Sequence, residues 1–69
     1  MYKGDTKLRK YLKELFRANN LNANDEAIEI LLSFAEEDNW NGKIKTFYDM
    51  TDKQIIEYYI NNTTFAKIK

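Results

Sequence analysis

Apolar positions recur along this chain with helical period, in three separate runs. In the first run Leu8, Tyr11, Leu12, Leu15 and Phe16 follow the i, i+3, i+4, i+7, i+8 spacing. At about 100° per residue they cover an arc of roughly 140°, the stripe of a helix with one buried face. Lys7, Arg9, Lys10, Lys13 and Arg17 occupy the opposite arc. The spacing predicts a helix over about 5–18, ended by Asn19-Asn20, because Asn tolerates the left-handed cap position.

The second run is wider. Ala27, Ile28, Ile30, Leu31, Leu32, Phe34 and Ala35 span roughly 200°, leaving Glu26, Glu29, Ser33, Glu36 and Glu37 as a narrow polar stripe. Asn22 or Asn24 can cap this helix, and Asp25 and Glu26 suit the positive end of its dipole. The expected span is 23–39, with Gly42 after Asn41 as the stop. So broad an apolar face predicts a central helix touched by both of its neighbours.

The third run has the clearest start. Thr51-Asp52-Lys53-Gln54 is a capping box, flanked by Met50 and Ile55 at the staple positions. Ile55, Ile56, Tyr59 and Ile60 are expected to face the core, with Tyr58 at its edge, in a helix over 51–62. Between the second and third runs, 43–48 is ambiguous. Ile44, Phe47 and Tyr48 have the spacing of a short fourth helix, while Lys-Ile-Lys-Thr-Phe alternates like an edge strand. The tail from Thr63 reads as extended or as a last turn using Phe65 and Ile68. The expected fold is all-α: a small three-helix bundle, with a short fourth helix at 43–48 as an option, in a single helical domain over 1–69.

Composition narrows the chemistry. The chain has 69 residues with no Cys and no His. It therefore lacks disulfides, thiolate metal sites and the commonest general base and metal ligand. Ser33 stands among acids with no base of suitable pKa, so the pattern predicts neither an enzyme nor a cofactor. Asn20, Asn22 and Asn24 resemble the start of a calcium loop. Asp25 then fills the position that needs Gly, and Leu31 the position that needs a bidentate Glu, so no metal site is expected. Asn61 and Asn62 head overlapping N-x-Thr patterns, but the first residues show no leader, and an ordinary helix end explains them. No stretch is long enough to span a bilayer. A cytoplasmic setting is the expectation.

Charge adds one distinctive feature. The formal net charge is zero, yet residues 1–22 carry +4, residues 23–42 carry −6 and residues 43–69 carry +2. Glu36, Glu37 and Asp38 sit at the end of the second helix, where acids oppose the dipole at about 0.3–1 kcal/mol each. Either Lys43 and Lys45 compensate, or these acids are kept for a partner. With Trp40 as a desolvated anchor, Glu29, Glu36, Glu37 and Trp40 form the expected contact surface for a larger, basic protein partner. The expected function is a small non-enzymatic protein-binding module. Asn, Lys, Ile and Tyr, residues of A/T-rich codons, make up 29 of 69 positions. That bias suggests an accessory or inhibitor protein of the phage or mobile-element type. Self-association into a homo-oligomer also fits the surplus apolar arc. The alternative is a DNA-associated accessory protein contacting phosphates through Lys10, Lys13 and Arg17. Scarce Arg and an acidic second helix weigh against that alternative.

Overall fold

A computed structural model describes residues 2–68; Met1 and Lys69 lie outside the described residues. Three α-helices form the fold: α1 Thr6–Ala18, α2 Asp25–Trp40 and α3 Asp52–Asn62. No strand occurs among the described residues, so the chain is a small all-α fold.

Each helix starts on a side chain that satisfies the orphan N–H groups of its first turn. Asp5 accepts from the Leu8 N–H at 2.9 Å and so caps α1. Asn24 accepts from the Glu26 N–H at 2.8 Å and caps α2. Thr51 and Gln54 exchange both bonds of the capping box, at 3.2 and 3.0 Å. The ends are equally local. Asn20 adopts a φ of 58° just beyond α1, a conformation its short polar side chain tolerates. Gly42 adopts a φ of 75° beyond α2, and there the Lys43 N–H turns back onto the Asp38 carbonyl at 2.8 Å.

The segment 43–48 is not a fourth helix. Only Phe47–Asp49 forms a single 3-10 turn. The residues before it have other uses for their backbone groups. Asn39 Nδ2 donates to the Ile44 carbonyl at 3.1 Å, and the Phe47 N–H donates to Tyr2 Oη at 2.8 Å. Thr46 is extended, with φ −65° and ψ 156°. Phe47 is buried because Tyr2 stacks on it, with ring centroids 5.6 Å apart.

The core is narrower on each helix than the apolar arcs imply. On α1 Leu8, Leu12 and Phe16 are buried, while Tyr11 is exposed. On α2 Ala27, Ile28, Leu31, Leu32 and Ala35 are buried, while Ile30 and Phe34 stay outside. On α3 Tyr58 belongs to the core rather than its edge, at 7% exposure, and Ile56 and Ile60 are half-buried. Tyr58 and Tyr59 are successive residues, so their rings diverge by about 100° and serve two aromatic clusters. Tyr58 meets Phe47 edge-on at 5.9 Å, in the cluster closed by Tyr2. Tyr59 stacks on Phe16 at 4.4 Å and meets Phe65 at 6.2 Å.

Tyrosine hydroxyls tie distant segments together around that core. Tyr59 Oη donates to the Asn22 carbonyl at 2.9 Å, Tyr58 Oη to Asp38 at 2.5 Å and Tyr48 Oη to Asp5 at 2.5 Å. Tyr11 Oη donates to Asp52, linking α1 to the first turn of α3. The tail is tied back through Asn22, whose N–H donates to the Ala66 carbonyl at 2.7 Å and whose Nδ2 donates to Phe65 O at 3.1 Å. An isolated antiparallel bridge joins Leu21 and Lys67. No buried side-chain N or O among the described residues lacks a hydrogen-bond partner.

Candidate docking face on the second helix

Helices α1 and α2 run antiparallel, and their charges meet. Arg9 Nη1 lies 3.6 Å from Glu29 Oε2, and Lys13, one turn on in α1, pairs with Asp25, one turn back in α2. Part of the segregated charge is therefore consumed within the fold, at the seam between the basic and the acidic helix. The Glu29 side chain remains 69% exposed, so this pair is a surface pair, worth about 0–1 kcal/mol.

The four acidic and aromatic residues expected to form one contact surface are divided between two neighbouring hollows that share Ser33 and Glu36. Glu29 lies over a polar cleft with Tyr2, Arg9, Ser33 and Glu36, on the α1 side of α2. Glu36, Glu37 and Trp40 share a shallow depression of about 400 Å³ with Ser33, at the C-terminal end of α2. Trp40 is 88% exposed and Glu37 is exposed, whereas Glu36 is half-buried. The negative charge of Glu36 also bears on Tyr2. Burial is the main cause that raises the Tyr2 phenol above its ordinary pKa, and Glu36 and Asp49 add to it.

Asp38 has a different role from its two neighbours. It accepts the hydroxyl of buried Tyr58, so the core accounts for its place near the negative end of the helix dipole. Burial first, and the bond to Asp38 second, push the Tyr58 phenol far above its ordinary pKa. Sequence reasoning missed this pair because its members stand 20 residues apart and neither belongs to a motif. Asp5 was missed in the same way. The Tyr48 hydroxyl and the Leu8 N–H hold its carboxyl below the usual range, while the bond to Asp5 pushes the Tyr48 phenol up to about 12.

The alternative phosphate surface is also divided. Lys10 and Arg17 are exposed, but Lys13 is half-buried against Asp25. Ser33 Oγ donates to the Glu29 carbonyl at 3.2 Å, one turn back on its own helix. That bond is a common resting state for a mid-helix Ser. The alternating Asn residues perform loop work. Asn20 takes the left-handed turn, Asn22 anchors the tail, and Asn24 caps α2. Among the described residues no group of three or more acidic side chains is placed to hold a metal ion, and no helix is long and apolar enough to cross a membrane. Comparison with protein-family models, with curated proteins and with solved structures found no match to this chain, so its function has to be argued from these side chains.

Proposed function

We propose that this protein is a small, non-enzymatic binding module that docks a basic surface on a larger protein. Its docking face is the outward C-terminal half of α2, with Trp40 as the anchor and Glu36 and Glu37 as the selecting charges. The observation that carries this reading is Trp40 itself. An indole 88% exposed beside two carboxylates gains nothing from this fold. Trp is also the residue type most enriched among interface anchors. Phe34 adds exposed apolar surface on the outward side of the same helix.

The division of labour follows from physics. Surface carboxylates, exposed Glu37 foremost, steer the encounter and reject acidic competitors, so they act mainly on association. A desolvated indole acts mainly on dissociation. Glu29 plays a lesser part than the sequence suggests, because Arg9 already meets it. The same ion pairs weigh against the phosphate-binding alternative, since they tie up two cations of the basic stripe. In the cytoplasmic, accessory-protein role that the composition suggests, such a chain acts by covering part of a larger protein.

The test uses the protein as bait against a lysate of its source organism. It compares the parent with Trp40→Ala, with Glu36→Lys/Glu37→Lys and with Lys10→Glu/Arg17→Glu, each checked for folding by circular dichroism. A partner held by the parent and by the Lys10/Arg17 variant should be lost from the other two. Truncating an anchor of this kind costs about 2 kcal/mol or more, a factor of about 30 in affinity. A partner that survives Trp40→Ala unchanged, or is lost only with Lys10 and Arg17, refutes the reading.

A further inference from the structure

A second surface lies at the opposite end of α2, away from Trp40. Ala27, Ile30 and Phe65 line a shallow depression of about 260 Å³ whose outer rim carries Glu26. A neighbouring depression holds Ile68, Phe65 and Lys67. The two share Asn22 and Phe65, so they adjoin as one trough between α2 and the tail, in which Ile30, Phe65 and Ile68 are interspersed with Asn22, Asn24 and Thr64. Ile68 is 64% exposed and Ile30 is exposed. Glu26 borders the first depression and Lys67 the second; both are exposed, and neither forms an ion pair among the described residues.

From this arrangement we infer that the trough is the contact face of a symmetric homodimer. A two-fold axis through the trough brings Glu26 of each copy to Lys67 of the other, with Ile30, Phe65 and Ile68 enclosed between the two bonds. A two-fold contact requires one patch to be complementary to itself. A patch with one acid in its first depression and one base in its second meets that requirement. A purely acidic or purely basic patch does not, which is why the C-terminal half of α2, with Glu36 and Glu37, is unsuited to the same role. A chain of 69 residues without a disulfide also has reason to gain stability by association. The tail enters the interface already positioned, because Asn22 and the Leu21–Lys67 bridge hold it against the body. The inference is independent of the docking face at Trp40.

Sedimentation equilibrium at low salt tests it, over about 10 µM to about 1 mM, the range that suits a small interface. The parent mass should rise with concentration from 8.3 kDa toward twice that value. Lys67→Glu and Glu26→Lys should each place like charges together twice per dimer and weaken association about tenfold or more. The double exchange Glu26→Lys/Lys67→Glu should restore it. Ile68→Ser should weaken association without changing the circular dichroism of the monomer. A parent that stays at 8.3 kDa throughout overturns the inference. So does a dimer indifferent to Lys67→Glu, or a double exchange that fails to restore it while each variant remains folded.

Discussion

Replacing Tyr58 by Phe removes one oxygen atom and keeps the ring. The ring is 7% exposed, and its edge contact with Phe47 at 5.9 Å does not involve the hydroxyl. What is lost is the 2.5 Å bond to Asp38. Hydrogen bonds to charged groups contribute about 1.5–3 kcal/mol. Asp38 is half-buried and regains water when the donor leaves, so the expected loss lies at or just below the bottom of that range, about 1–1.5 kcal/mol. A domain of 69 residues unfolds with an entropy near 0.14 kcal/mol/K, so the melting midpoint should fall by about 7–10 °C. The assay is a thermal melt at neutral pH followed by far-UV circular dichroism. A second substitution isolates the bond. Asp38→Ala strands the buried phenol, at about 1–3 kcal/mol, and relieves about 0.3–1 kcal/mol of dipole opposition. In that background Tyr58→Phe should cost nothing or be slightly stabilising. The coupling between the two sites should then be about 1 kcal/mol or more. A parent-background shift under about 2 °C, or an equal loss in both backgrounds, would refute the claim that Asp38 is placed for Tyr58.

Three further outcomes follow from the same geometry. Thr51→Ala removes the hydroxyl that accepts from the Gln54 N–H at the start of α3, leaving only the backbone half of the box, and should destabilise by about 1 kcal/mol, read as a lower melting midpoint. Glu37→Ala should raise the midpoint by a few degrees, because Glu37 opposes the dipole of α2 with no side-chain partner among the described residues; an unchanged or lower midpoint would show that the fold itself needs it. Stability should fall at high pH, since Tyr48 and Tyr58 have phenol pKa values raised by folding, to about 12 for Tyr48. Their contribution is complete below the unfolded value of about 10 and is lost as pH climbs through the folded values. Melts between pH 8 and 12 should show that decline, and Tyr48→Phe/Tyr58→Phe should flatten it.

The helices were legible because helical period and capping chemistry are local properties. Thr51 and Gln54 state the start of α3 within four residues, and Asn24 caps α2 beside the acids of its first turn. What escaped depends on neighbours that the sequence does not place. Tyr2 is 1% exposed, yet a residue ahead of the first helix carries no periodicity to announce its burial. Phe47 and Tyr48 have helical spacing, but Tyr2 and Asp5 hold them in a turn. The wide apolar arc of α2 suggested more burial than it receives, because its neighbours leave the sector of Ile30 and Phe34 uncovered. The charge pattern was visible in full. Its partial neutralisation across α1 and α2 was not, since it depends on the register that sets Arg9 beside Glu29 and Lys13 beside Asp25.

The position of the lone indole divides the optical signals of this molecule into two independent channels. Trp40 is already in water when the chain is folded, so unfolding changes its surroundings little, and its emission should scarcely register the melt. The tyrosines experience the reverse. Tyr2, Tyr58 and Tyr59 are packed against other rings in the folded chain and lose that asymmetric setting on unfolding, so near-ultraviolet dichroism should follow the core. A flat tryptophan trace on heating is therefore what a cooperatively folded form of this protein should give. A blue shift of that same emission at constant temperature would mean that something else has come to cover the end of α2.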